Sequence, residues 1–241
     1  MQSDKIISTA KIYAVGVGPG DPELLTRKAE RIIRQAQVIC TPTGNADASS
    51  YALSIVEELL DRSRQEIIIQ TFPMMKKGPE LESAWEEAAE EVTARIDRGQ
   101  DVVFITIGDP CLYSTFLYIY RIIRETRADI CIEIIPGISS INAAAAAAGI
   151  PLGIAGDRIA ILPATYESED LRKTLAEFDT VVLMKVSRVF DQVYQLLCEL
   201  RLDKSSVFIR RVGSPDQEVT FDLASLVGNE LDYLSMLIVR K

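Results

Sequence analysis

The chain has 241 residues, 48% of them apolar, and a formal net charge of −9. That length holds one large domain or two modest ones, and the acidic balance with no basic tract argues against a nucleic-acid partner. Histidine is absent, which removes the commonest general base and the commonest metal ligand.

Periodicity predicts a β/α alternation through the first half. Residues 11–15 read as a strand, and Thr26 caps a helix to 36 with Ala29, Ile32, Ile33 and Ala36 on one face. A short buried strand at 38–40 precedes a helix at 51–60 carrying Ala52, Ile55, Val56, Leu59 and Leu60. A strand at 66–69 leads to a long helix, 81–97, with Trp85, Ala88, Ala89, Val92 and Ile96 inward. A strand at 101–107, a helix at 114–125 and a strand at 130–135 follow. Five strands alternating with four helices predict a parallel sheet covered on both faces. Pro136-Gly137 then breaks the chain. The alanine run 143–148 reads as a tightly packed helix with no chemistry of its own. Strands at 159–162, 181–184, 207–211 and 234–239 and helices near 169–177 and 189–200 fill the rest. Gly213-Ser214-Pro215-Asp216 signals a hairpin, so a mixed α/β sheet is expected there. The fold class is therefore α/β in two domains, 1–136 and 137–241.

The longest uncharged apolar runs are too short to span a bilayer. Met1-Gln2-Ser3-Asp4-Lys5 has neither a basic nor a long apolar region, so no signal peptide is expected. Cys40, Cys111, Cys131 and Cys198 are scattered without a CxxC pair and read as separate thiols, not as a disulfide frame or zinc site. A cytoplasmic protein with no membrane partner and no protein-bound metal is expected.

Ligands of parallel sheets sit beyond the carboxyl ends of the strands. Three loops fall there: 16–21 after the first strand, Gly108-Asp109-Pro110 after the fourth, and Pro136-Gly137-Ile138-Ser139-Ser140 after the fifth. Glycine permits tight turns and close backbone approach. A dinucleotide site is disfavoured because Gly16-Val17-Gly18-Pro19-Gly20 has the wrong third spacing, and the second strand ends in Ile39-Cys40-Thr41 without a carboxylate for a ribose. A P-loop is absent, since no Gly-Lys-Ser/Thr follows.

Gly16-Val17-Gly18-Pro19-Gly20-Asp21-Pro22-Glu23-Leu24-Leu25-Thr26 resembles the opening signature of the tetrapyrrole (corrin/porphyrin) methyltransferase family. Gly108-Asp109-Pro110 resembles its second motif and Pro136-Gly137-Ile138-Ser139-Ser140 its third, in matching order and spacing. The stretches from Ile107 to Thr115 and from Arg211 to Asp216 are most similar to the branch that methylates C20 of precorrin-2 or cobalt-factor II in cobalamin (vitamin B12) biosynthesis. The resemblance implies S-adenosylmethionine as methyl donor in an active-site cleft between the two domains, a tetrapyrrole acceptor that brings any cobalt with it, and a homodimer. Another corrin-ring carbon as target, or a non-catalytic tetrapyrrole binder of the same fold, are the alternatives.

Methyl transfer from a sulfonium is an in-line displacement that needs alignment and a dry site more than acid–base groups, so a chain without histidine suits it. By resemblance, Gly108, Asp109, Leu112, Ser139, Ser140 and Met184 are cofactor residues. Asp109 otherwise reads as a turn aspartate bonding its own backbone, the serines as helix caps, and Leu112 and Met184 as core. Pro19 and Gly20 would shape the substrate side of the cleft. Lys185, alternating to the opposite face of the strand from Met184, would meet a substrate carboxylate, with Arg188, Arg210 and Arg211 as further candidates for a basic patch, against a solvated surface role for each. Tyr113 is a candidate for proton removal, against burial with a satisfied hydroxyl. With Asp109 and Lys185 it makes up the candidate catalytic set. Residues 73–79, with Lys76 and Lys77, read either as a lid or as a plain connector.

Overall fold

The computed structural model describes residues 10–44, 50–72, 78–163 and 168–241. The chain divides into two compact units, Met1–Ser139 and Ser140–Lys241. Residues 73–77, most of the expected lid, lie outside the described residues.

The first unit holds strands β1 (Lys11–Gly16), β2 (Val38–Thr43), β3 (Glu66–Thr71), β4 (Val102–Thr106) and β5 (Cys131–Ile135). Its helices are α1 (Arg27–Gln35), α2 (Tyr51–Val56), α3 (Pro79–Asp97) and α4 (Phe116–Thr126). The strands form one parallel sheet in the order β3-β2-β4-β1-β5. Side chains alternate across a strand, and the two resulting faces build two cores. Ile12, Ala14, Val102 and Phe104 pack with Val92 and Ile96 of α3 and Phe116 and Ile119 of α4. Val15, Ile39, Val103 and Ile105 pack with Ala29, Ile32 and Ile33 of α1 and Ile55 and Val56 of α2. Both faces are thus covered, as the continuous apolar runs require. Thr26 caps α1, its Oγ1 accepting from the Ala29 amide at 3.1 Å. The helix expected over 51–60 ends at Val56 and tightens into a 3-10 turn over Glu57–Leu59, with Val56 at φ −109° and ψ 6°.

The second unit opens with α5 (Ser140–Ala148), which carries the alanine run and buries Ile141, Ala144 and Ala145. Strands β6 (Ile159–Pro163), β7 (Thr180–Met184), β8 (Ser206–Arg210), β9 (Glu218–Thr220) and β10 (Ser235–Arg240) form a mixed sheet in the order β6-β7-β10-β8-β9. β6 pairs parallel with β7, while β10 runs antiparallel to both β7 and β8. Helices α6 (Ser168–Glu177) and α7 (Phe190–Glu199) share one core with Val181, Leu183, Phe208, Leu237 and Val239. The hairpin signalled by Gly213-Ser214-Pro215-Asp216 joins β8 to β9, and Gly213 takes φ 81° in it. No described helix is long and apolar enough to cross a membrane.

Candidate functional site

Because β4, β1 and β5 are neighbours in the first sheet, the three motif loops leave adjacent strand ends. They close into a knot of glycines. A Cβ built on Gly137 would lie 2.1 Å from the Gly108 carbonyl oxygen and 2.8 Å from Gly16 Cα. One on Gly16 would meet the same oxygen at 2.4 Å and the Gly137 nitrogen at 2.7 Å. Such distances leave no room for any side chain, so glycine is required here by close approach. Gly18 and Gly108 form an isolated antiparallel bridge. The Gly108 amide donates to Gly18 at 2.7 Å, and both residues have positive φ, 79° and 69°.

Asp109 ties the second loop to the third. Its Oδ1 accepts from the Cys111 amide at 2.8 Å and its Oδ2 from the Gly137 amide at 3.1 Å. The turn-aspartate geometry is therefore present, extended by a bond to a residue 28 positions on. Pro19 is buried in this knot and Gly20 half-buried. Asp21 caps the short turn Pro22–Leu24 by accepting from the Glu23 amide, and the chain passes directly to the Thr26 cap. Leu112 is half-buried. Tyr113, for which burial was the competing expectation, is 45% exposed at φ 51°. Its left-handed backbone turns the side chain out of the core that receives Ser114 and Phe116. Ser114 donates to Thr106 Oγ1 at 3.1 Å and accepts from the Phe116 amide, fixing the start of α4. Ser139 is half-buried at the end of the third loop.

In the second unit Ser140 begins α5, and Met184 is half-buried at the end of β7 opposite Met236. Lys185 departs from the alternation expected of it. The strand ends at Met184, and Lys185 adopts φ 59° and ψ 40° ahead of the 3-10 turn Val186–Val189. Strand alternation thus says nothing about where its side chain points. Its Nζ lies 5.6 Å from the centroid of the Tyr233 ring. Arg188 is exposed on the same turn.

Two members of the expected basic patch, Arg210 and Arg211, are paired with acid. Arg210 meets Glu218 at 2.6 Å. Arg211, at φ 46°, donates from Nε to Asp232 at 2.6 Å and approaches Asp216 at 3.5 Å. Burial raises the Asp232 pKa, but the Arg211 bond and the Leu234 amide outweigh it and hold the carboxyl below its ordinary range. Asp232 and Tyr233 had no sequence signal, because they reach the arginine and lysine only through strand order, whereas Asp216 lies in the Arg211–Asp216 stretch already marked in the sequence. Of the five non-glycine residues at positive φ among the described residues, three are Tyr113, Lys185 and Arg211.

Among the described residues no group of three or more His, Cys, Asp or Glu is placed to hold a metal ion. Cys40 is buried, and Cys111, Cys131 and Cys198 are exposed free thiols.

Comparison with known proteins gives a consistent result. The chain is 35% identical to the probable cobalt-precorrin-2 C(20)-methyltransferase of Methanocaldococcus jannaschii over 96% of both chains. It is 32% identical to the cobalt-precorrin-2 C(20)-methyltransferase of Salmonella typhimurium, again over 96% of both. The uroporphyrin-III C-methyltransferase of Thermus thermophilus, solved with S-adenosylhomocysteine, superposes with a TM-score of 0.64 at 22% identity, covering 96% of this chain and 98% of the other. The model of the tetrapyrrole (corrin/porphyrin) methylases matches residues 11–227, a span containing all three glycine loops and both Lys185 and Arg211, and the chain belongs to that family.

Proposed function

We propose that this chain transfers a methyl group from S-adenosylmethionine to C20 of a precorrin-2-type tetrapyrrole in cobalamin biosynthesis, with the cobalt-bearing acceptor (cobalt-precorrin-2 or cobalt-factor II) favoured. The observation that carries the reading is the end-to-end identity above 30% with two relatives bearing that name.

The residues suit a sulfonium nucleoside. Half-buried Leu112 and Met184, the hydroxyls of Ser139 and Ser140 and the carboxylate of Asp109 supply apolar surface, hydrogen-bonding groups and negative charge, with no cation among them. When bound, S-adenosylmethionine supplies a methyl group on a cationic sulfur. In this reading Gly108 and Asp109 act through the backbone: the aspartate, committed to two amides, fixes the loop that carries Leu112 and Tyr113. Alignment of this kind is the main demand of an in-line displacement. Pro19 and Gly20 shape the substrate side, and Lys185, Arg188 and Arg211 face its carboxylates. Tyr113, exposed, relays to water the proton that the methylated carbon sheds.

A cytoplasmic setting is supported by four unpaired cysteines. A homodimer, with no nucleic-acid or membrane partner, completes the reading. Ile154, Ile159 and Ile161, exposed on or beside edge strand β6, supply apolar surface for such a dimer.

The test is turnover with the metal-free and cobalt-bearing acceptors side by side, the methylated carbon located by NMR, together with calorimetry of S-adenosylhomocysteine. Methylation at C20 is expected. Absence of nucleoside binding, or methyl at another carbon, overturns the proposal.

A further inference from the structure

Lys185 and Arg211 occupy matching places. Each directly follows a strand, β7 and β8 respectively, and each has left-handed backbone. β10 runs antiparallel between those strands, so both residues stand beside its first residues. The Lys185 amide donates to the Ser235 carbonyl at 2.9 Å, and the Arg211 amide to the Leu234 carbonyl at 2.8 Å. Side chains disfavour this conformation because Cβ crowds the carbonyl oxygen. It persists where the surroundings impose it, and such residues gather at functional sites.

What grips the two side chains is the dipeptide Asp232-Tyr233, on the approach to β10. Asp232 is anchored first: its Oδ1 accepts from the Leu234 amide at 2.7 Å, while Oδ2 accepts from Arg211 Nε at 2.6 Å. One carboxylate oxygen thus fixes the aspartate and the other fixes the arginine. Tyr233 offers its ring face to the Lys185 ammonium at cation–π distance. The Arg211 side chain remains 39% exposed. Its second acid, Asp216, is 73% exposed at 3.5 Å, a loose contact that a stronger acceptor displaces. Neighbouring strands lie about 4.8 Å apart, so the ends of β7 and β8, two spacings apart, are separated by about 10 Å. Backbone anchor points that far apart let the two long side chains meet acid groups on different rings of a macrocycle.

We propose that Asp232 and Tyr233 are positioning residues that hold Arg211 and Lys185 ready, so that the two cations meet separate carboxylates of the tetrapyrrole. The identity of that ligand rests on the methyltransferase reading; the holding geometry does not.

The experiment compares wild type, Asp232→Asn, Tyr233→Leu and the double variant. Affinity for uroporphyrin III, an octacarboxylate, is read by fluorescence titration, S-adenosylhomocysteine affinity by calorimetry, and KM and kcat with the cobalt-bearing acceptor. Asp232→Asn is expected to weaken octacarboxylate binding about five- to tenfold and Tyr233→Leu about two- to fourfold, with KM rising in parallel. S-adenosylhomocysteine affinity and kcat should stay within about twofold, because preorganisation of the acceptor side leaves the donor side untouched. Unchanged octacarboxylate affinity in either single variant removes that residue's role. A parallel fall in S-adenosylhomocysteine affinity marks a merely structural role and overturns the proposal. A wild type that methylates neither acceptor sinks the methyltransferase reading, while the titrations still decide the two residues.

Discussion

Replacing Gly137 with alanine is the most direct test of the glycine knot. The new methyl carbon would sit 2.1 Å from the Gly108 oxygen and 2.8 Å from both Gly16 Cα and the Gly16 carbonyl carbon. All three are backbone atoms in the loops at the strand ends, so no side chain can swing away, and the loop after β5 must part from the other two. Overpacking costs about 1–3 kcal/mol. The parting also strains the bond from the Gly137 amide to Asp109, a charge-assisted contact contributing about 1.5–3 kcal/mol. The sum, about 2.5–6 kcal/mol, lowers the melting temperature by about 5–24 °C for a chain of this size. Gly156→Ala serves as control: its methyl meets nothing within 4 Å and its φ is not positive, so it should be neutral or stabilise by up to about 1 kcal/mol. Thermal and urea unfolding of both variants, followed by circular dichroism, make the comparison. If Gly137→Ala melts with the control, the three loops are not interlocked as described.

Three further outcomes are expected. Asp109→Asn keeps the shape but presents an NH2 group to one of the two amides that the carboxylate accepts. It should cost about 1–3 kcal/mol, and calorimetry should show weaker S-adenosylhomocysteine binding. Asp157 accepts from the Ile154 amide and from Arg240, and these bonds hold its carboxyl below the ordinary range. A depressed carboxyl stabilises above its unfolded pKa, and that contribution fades as pH falls through the folded value. The stability deficit of Asp157→Asn at pH 7 should therefore shrink as urea midpoints are followed below about pH 4; a deficit constant with pH would contradict the assignment. Desolvation, with a smaller contribution from Glu91, raises the Cys40 thiol well above its usual pKa. A thiol reagent should modify Cys111, Cys131 and Cys198 in the folded protein and reach Cys40 only on unfolding.

The fold was legible where one residue's environment repeats at a fixed period. β1 and β4 are largely apolar on both faces, and α1 shows an apolar stripe behind a Thr cap, so strand, helix and parallel sheet all follow from local pattern. β9 was not legible: its three residues are all half-buried and carry no alternation that the eye or a window can separate from a loop. The site divides in the same way. Glycine, aspartate and proline at three strand ends announced a functional edge. That Gly137 donates to Asp109, or that Gly16 and Gly137 share one carbonyl oxygen, depends on strand order, which no local pattern encodes. Lys185 shows the sharper failure. A period of two placed it on a strand face, but its backbone turns left-handed because the strand stops one residue earlier.

The order of strands also sets when the knot can form. Its three contributors end at Gly16, Thr106 and Ile135, so the first loop must wait through more than a hundred residues for its partners. β5, the last to emerge, is an edge strand held only by β1. Parallel pairings this distant in sequence close late, since chain entropy is lost before any contact forms. During synthesis the motif Gly16–Asp21 is therefore exposed early and locked late, and the docking of β5 is the event that converts a folded sheet into a competent one.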